Sequence, residues 1–328
     1  MTGRGQASAS AAAAIERRAP DFFIVGHPKS GTSALYQMLR SYPQIHMPRK
    51  EPSFFVPELW PPRSSKYANG IEDYLDFFDQ AGADQLIGEA TTAYLWSQGA
   101  AQRIADVQPQ ARIIAILREP ASFLRSLHLQ FIRSNVETER DLRKALELEH
   151  ERGEGKRLPR NSTRPQALAY SEHVSYVEQL RRYEAVFPRE QMLVLIYEDF
   201  RADNERTVRE VLGFLGLEDA PAPEPIEANH ASGVRSPRIN ELVRSLYMGR
   251  SGAARPAKAA IKALTPQRLR KRAVGTVTRM QRSEPPAADE QLMRELRVRF
   301  KGEVQALSEH LGRDLVAFWG YDELGAQR

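Results

Sequence analysis

The 328-residue chain contains no cysteine. That excludes disulfides, thiolate metal ligands and a cysteine nucleophile. The same absence fits a reducing compartment, and cytoplasmic residence is the expectation. Long apolar runs are missing as well: none approaches the ~18–20 residues a helix needs to span a bilayer, so no transmembrane helix is expected. The opening stretch, Met1 to Ala19, is rich in Ala and Ser, and its Ala11–Ala14 run is too short and too weakly apolar for the core of a secretory signal. It reads as a disordered leader (1–19) ahead of a single domain over 20–328. A third absence is local. From Arg250 to Arg282 there are ten Lys/Arg and no Asp or Glu. Subtracting that +10 from the net +5 leaves the rest of the chain at −5, a mildly acidic body with one basic segment. The basic balance is therefore weak support for a nucleic-acid partner, and none is expected. The segment reads plainly as a solvated loop and helix; its sharper reading is a peripheral contact with a membrane or another anionic surface.

What is present is the composition of a folded α/β domain: 41% hydrophobic and 27% charged residues, enough to bury a sizeable core. Short apolar runs alternate with helical patterns. Asp21–Gly26 reads as a buried strand and Thr32–Ser41 as a helix stopped by Pro43. Leu86–Thr91 is a second strand, followed by a helix over Ala100–Val107. Ala111–Leu117 is a nearly continuous apolar run suited to a central parallel position, and Pro120 sits where a first-turn helix proline belongs, with Ala121–Arg133 continuing helically. Met192–Tyr197 is a fourth strand, Asn204–Leu215 a further helix, and Asp289–Leu311 a last helix whose apolar stripe would pack on the sheet. This order predicts a parallel sheet with helices on both faces, carrying ligands beyond the carboxyl ends of its strands. Residues 135–168 and 218–286 break the alternation. The first reads as a helical insertion with a mobile loop, the second as irregular or lid-like, and both are expected on the acceptor side, where specificity loops belong.

Between the first strand and its helix lies Gly26-His-Pro-Lys29-Ser30-Gly31-Thr32-Ser33. Free N–H groups at a helix start, the helix dipole, one lysine and three hydroxyls make an anion site. The loop is P-loop-like, with Gly26 and Gly31 at P-loop spacing, but Thr32 stands where the lysine of an ATP-binding loop belongs. No in-line lysine with a following magnesium hydroxyl exists, and no metal is expected. This order after an apolar strand resembles the 5′-phosphosulfate loop of the sulfotransferase family, whose donor is 3′-phosphoadenosine 5′-phosphosulfate (PAPS), released as PAP. Leu117-Arg118-Glu119-Pro120, with Ser126 eight residues after Arg118, resembles the family's arrangement for the 3′-phosphate: a forked, permanently charged donor at a strand end and a hydroxyl on the next helix. Lys50-Glu51-Pro52-Ser53-Phe54-Phe55 resembles the K-E-x-x-F-F element of glycan-type and bacterial members, whose glutamate is the base. A carboxylate beside aromatic rings is expected to hold its proton more tightly, which suits that role.

The resemblance covers roughly Phe22 to Leu217. It implies a PAPS-dependent sulfotransferase with Glu51 and Lys29 in catalysis. Lys29, Ser30, Gly31, Thr32, Ser33, Arg118, Ser126 and, by a looser match of Ser232–Arg238, Arg235 would hold the cofactor. The acceptor would be a hydroxyl of a small-molecule, sugar-bearing or lipid-linked compound. One element departs from the pattern: the family's E-K-T-P-x-Y reads Glu89-Ala90-Thr91-Thr92-Ala93-Tyr94 here, so its second lysine is absent and glycosaminoglycan acceptors are disfavoured. Tyr197-Glu-Asp-Phe200 resembles a structural strand end of the family. His27 and His128 stand behind Glu51 as alternative bases. Two rival functions remain at this point: a P-loop-type kinase or nucleotide hydrolase, and a non-catalytic protein binding anions or membranes through 250–282.

Overall fold

A computed structural model describes residues 18–59, 70–159, 165–221, 233–234, 282–283 and 286–325. The chain divides into two compact units, one formed by Met1–Leu117 with Glu178–Glu227, the other by Arg118–Val177 with Ala228–Arg328.

The first unit holds a five-stranded parallel sheet. Its strands are β1 (Phe22–Gly26), β2 (Ile45–His46), β3 (Leu86–Ala90), β4 (Arg112–Leu117) and β5 (Met192–Ile196), in the order β2-β3-β1-β4-β5. All five residues of β1 are buried, as expected of a strand covered on both faces. One face packs Phe22, Ile24, Ile114 and Ile116 against Leu35 and Leu39 of α1 (Thr32–Arg40) and Val208 and Val211 of a helix at Asn204–Phe214. On the other face Phe23 meets Phe55 edge-on, ring centres 5.9 Å apart. Gly88 is required in β3: a β-carbon there would lie 2.2 Å from the Phe22 ring across the pair. The chain leaves β1 toward β3 on one side and returns to β4 on the other, so the strand order reverses at β1, and a ligand crevice is expected beyond its carboxyl end. Three further helices belong to the intervening chain: α2 (Ile71–Leu75), α3 (Ala100–Val107) and, beginning in the second unit, α4 (Pro120–Ser134).

In the second unit Glu119 caps α4, accepting from the amides of Ala121 at 3.1 Å and Ser122 at 2.7 Å, with Pro120 in the first turn. The 135–168 stretch contains α5 (Leu142–Glu147) and α6 (Glu149–Gly153). Its first part is packed, Arg152 donating two bonds, of 2.6 and 2.8 Å, to a fully buried Glu137, a forked pair with good geometry; residues 160–164 lie outside the described residues. α7 (Tyr176–Glu184) runs across the division between the units, and α8 (Tyr197–Ala202) and α9 (Asn204–Phe214) follow β5 in the first. A short antiparallel pair joins β6 (Gly233–Val234) to β7 (Arg282–Ser283). The long final helix, α10 (Glu290–Leu311), is capped by Asp289 and buries Leu292, Leu296, Phe300, Val304 and Leu307. This helix packs with α4 in the same unit. α11 (Leu315–Phe318) is the last α-helix among the described residues, and beyond it Tyr321 donates a 2.6 Å bond to Glu119. The 1–17 part of the leader, most of 218–286, Arg235 and the basic segment lie outside the described residues. Among the described residues no helix is long and apolar enough to cross a membrane.

The sequence placed β1, β3, β4, β5, α1, α3, α4, α9 and α10 within a residue or two of their bounds. It missed β2, which has two residues, α8, where the apolar strand passes straight into helix at Tyr197, and also α2, α7, α11 and the short β6–β7 pair.

Candidate active site

The loop after β1 turns into α1 through Gly31, which sits at φ 85°. A side chain there would be strained by its backbone and blocked, its β-carbon 2.7 Å from the Phe200 ring and 3.3 Å from Tyr197. The Tyr197–Phe200 segment, read from sequence as a strand end, therefore walls the loop from beneath. No side chain caps α1, and its first turn carries no acidic residue, which suits an anion. Lys29 is half-buried with φ 65°, left-handed for a non-glycine residue. Ser30 is fully buried, and its Oγ has no hydrogen-bond partner among the described residues. A buried hydroxyl with nothing to bond is costly, so an oxygen-rich ligand fits this loop. His27 is buried behind it, its Nε2 2.6 Å from Gln179 Oε1.

The missing in-line lysine is supplied from another part of the chain. Lys50 Nζ donates to Ser33 Oγ at 2.8 Å and to Thr32 Oγ1 at 3.2 Å, and lies 3.8 Å from Glu51 Oε1. Burial lowers its pKa, and neighbouring Glu51 partly restores it. Sequence reasoning left Lys50 without a role; its place next to Glu51 was the available signal. Glu51 itself is about half exposed, 48%, open to an incoming acceptor. Its Oε1 accepts from Thr92 Oγ1 at 3.2 Å and its amide donates to Ala90 O at 2.8 Å. The segment whose sequence departs from the family pattern thus contacts Glu51 through both of these groups.

The carboxylate set among aromatic rings is Glu89, not Glu51. Glu89 is 1% exposed. It accepts from Tyr74 OH and Thr91 Oγ1, each at 2.6 Å, and from Tyr94 OH at 3.1 Å. Burial pushes its pKa up to about 7, against the opposing pull of the three hydroxyls. Between pH 4.5 and about 7 the folded protein keeps a proton that the unfolded chain has lost. Stability is full below 4.5 and declines as pH rises through 7. Against a Glu89→Gln variant, which cannot titrate, wild-type stability should fall by roughly 3 kcal/mol over that window, read by denaturant melts at stepped pH. A constant difference between the two proteins across the window would contradict this.

In the second unit, Arg118 directly follows β4, half-buried, with its carbonyl accepting from Tyr176 OH at 2.8 Å. Ser126 lies on α4, 5% exposed, and its Oγ is buried without a hydrogen-bond partner among the described residues. Each of the two sequence-predicted serines outside the first turn of α1 thus presents a buried, unsatisfied hydroxyl. His128 is spoken for: Nδ1 lies 2.9 Å from Tyr170 OH and Nε2 3.0 Å from the Arg140 carbonyl, and burial lowers its pKa. It is a core histidine with no nitrogen left over for a substrate proton.

Residues 19–233 match the family model described as sulfotransferase domain. The chain belongs to the sulfotransferase family. This sulfotransferase is similar to the solved structure of a sulfotransferase from Alicyclobacillus acidocaldarius, at 26% identity and a TM-score of 0.66, covering 92% of this chain and 98% of that one. Carbohydrate sulfotransferase 15 of Mus musculus is 29% identical over 276 residues, covering 68% of this chain and 48% of that protein. Bifunctional heparan sulfate N-deacetylase/N-sulfotransferase 3 of Homo sapiens is 29% identical over 206 residues, covering 61% of this chain and 22% of that protein. The chain spans about half the length, or less, of these two relatives. Membership displaces the kinase or nucleotide-hydrolase reading.

Proposed function

We propose that this sulfotransferase uses PAPS as donor and a hydroxyl of a sugar-bearing acceptor as substrate. The observation that carries the donor is the loop at Lys29–Ser33: an uncapped helix start, a buried hydroxyl without a partner among the described residues, a lysine within the loop and a second, Lys50, reaching its hydroxyls. The acceptor class rests on the relatives named for carbohydrate and heparan sulfate. When bound, PAPS supplies the sulfuryl group, which passes in line to the acceptor oxygen and leaves PAP.

The chain's own residues divide the work. Lys29, Ser30, Gly31, Thr32 and Ser33 hold the 5′ end, with Lys29 and the loop N–H groups opposing the negative charge that gathers there. Arg118 and Ser126 take the 3′-phosphate. Glu51 accepts the proton of the acceptor hydroxyl as its oxygen attacks. Such catalysis is positioning plus preorganised charge, and these residues supply it without a metal. Arg235 is kept as a further 3′-phosphate ligand, cytoplasmic residence as the site of action, and an anionic or membrane contact as the role of 250–282.

The test has two arms. Radiolabelled PAPS offered to a panel of sugars, lipid-linked sugars and small alcohols should give a labelled product with at least one sugar-bearing acceptor, and a panel labelled only on non-sugar compounds would refute the acceptor class. Calorimetry of Arg118→Ala should lose ~10–100-fold in affinity for PAP and far less for its 3′-dephospho analogue, the loss of a charge-assisted phosphate contact. Equal weakening toward both ligands would remove Arg118 from the donor site.

A further inference from the structure

The turn that carries Glu51 has an unfavourable backbone. Glu51 and Ser53 both adopt left-handed φ values, 63° and 57°, each at a cost of about 1–2 kcal/mol for a non-glycine residue. Such a turn persists only where its surroundings hold it. Arg103 donates to the Phe55 carbonyl at 2.7 Å, and the acceptors for three of the turn's own amides come from residues 90–94. Ala90 O accepts from the Glu51 amide at 2.8 Å, Thr91 Oγ1 from the Ser53 amide at 3.3 Å, and Tyr94 OH from the Phe55 amide at 3.4 Å. A hydroxyl that accepts must aim its own hydrogen elsewhere. Thr91 and Tyr94 both aim theirs at one buried carboxylate, Glu89, and Tyr74, stacked on Phe54 of the same turn with ring centres 4.5 Å apart, does likewise.

We propose that Glu89 is a positioning residue: by accepting from Thr91, Tyr94 and Tyr74 it fixes the lone pairs of the first two on the turn's amides and so fixes where Glu51 stands. Glu89 has no route to a substrate, being sealed inside the unit, so it acts through Glu51 and not in its place. The inference rests on Glu51 being the base. The groups facing Glu89 are Tyr74, Thr91, Tyr94 and, through space, Tyr183; none is a cation, so its hold on the hydroxyls is by hydrogen bonding alone. Burial that pushes its pKa up to about 7 reflects how little solvent reaches this cluster.

Above pH 7, where Glu89 is ionised and acceptor-only, Glu89→Gln replaces it by an amide whose NH2 cannot accept from a hydroxyl, so at least one of the three contacts must break, and the kinetics are read there. The expected result is a fall in kcat of ~10²-fold, the scale of a roughly ångström-sized misplacement, with the dissociation constant for PAP unchanged. The deciding measurement is a double-mutant cycle with Glu51→Gln. If Glu89 acts through Glu51, adding Glu89→Gln to Glu51→Gln lowers the residual rate by less than about twofold. An equal loss in both backgrounds would mean general loosening and would overturn the proposal, as would wild-type kcat in the single variant. Should Glu89→Gln not fold, Thr91→Val and Tyr94→Phe, each cutting one arm, decide the matter in the same two backgrounds, with Thr91→Ser expected to restore kcat. Failure of the underlying reading looks different: Glu51→Gln would itself turn over normally, and the proposal would fall with it.

Discussion

Glu51→Gln lowers sulfuryl transfer by ~10²–10⁴-fold, the usual loss on removing a general base, while PAP binds as tightly as to wild type. The amide has the size of the carboxylate and keeps its oxygen for Thr92, whose hydroxyl donates to Glu51 Oε1 at 3.2 Å. It also keeps the backbone bond to Ala90, so the turn survives the change. What it cannot do is take a proton. It also ends the 3.8 Å attraction to Lys50, and the lysine should then rest wholly on Thr32 and Ser33. The rate is read under saturating donor and acceptor and the affinity by calorimetry with PAP. Normal turnover would place the base elsewhere. His128 is a poor successor, with both ring nitrogens engaged, and His27 is fully buried.

The pieces of this site were legible in the sequence to the extent that they were local. A run of apolar residues, a glycine-bearing loop and a helical pattern fixed β1, the phosphate loop and α1, because strand, turn and helix signals there are consecutive. Lys29, Glu51 and Arg118 stood out for the same reason. What stayed hidden depends on side chains meeting across long separations. Lys50 reaching the hydroxyls of Thr32 and Ser33, and Phe200 under Gly31, join positions that no periodicity links. Glu89 was hidden for a second reason: in sequence it reads as a mid-strand charge, and only three hydroxyls from Tyr74, Thr91 and Tyr94 explain its burial. The aromatic neighbourhood expected for Glu51 belongs to Glu89, since Phe54 and Phe55 turn inward toward Tyr74 and Tyr94 while the Glu51 side chain turns out.

Lys29→Ala should be the other near-complete loss, and its signature should differ from that of Glu51→Gln. Lys29 lies where β1 gives way to α1, at φ 65°, a conformation alanine also tolerates poorly, so Lys29→Gly is the companion variant that separates charge from backbone. Removing one preorganised donor from a site of developing charge typically costs 10²–10³ in rate, and both variants should lose at least that much. Unlike Glu51→Gln, they should also weaken PAP, because the ammonium opposes charge already present on the bound nucleotide as well as charge gained during transfer. Lys50 moderates the effect: its Nζ stays on Ser33 and Thr32, leaving a cation at the loop when Lys29 is gone. The combined Lys29→Gly and Lys50→Met variant should therefore fall well below either single one. The measurement is single-turnover transfer with radiolabelled PAPS, with thermal melts to establish folding. Near-wild-type turnover in a folded Lys29→Gly protein would sink the assignment of this loop to the donor, and equal rates in the single and double variants would show that Lys50 contributes nothing there.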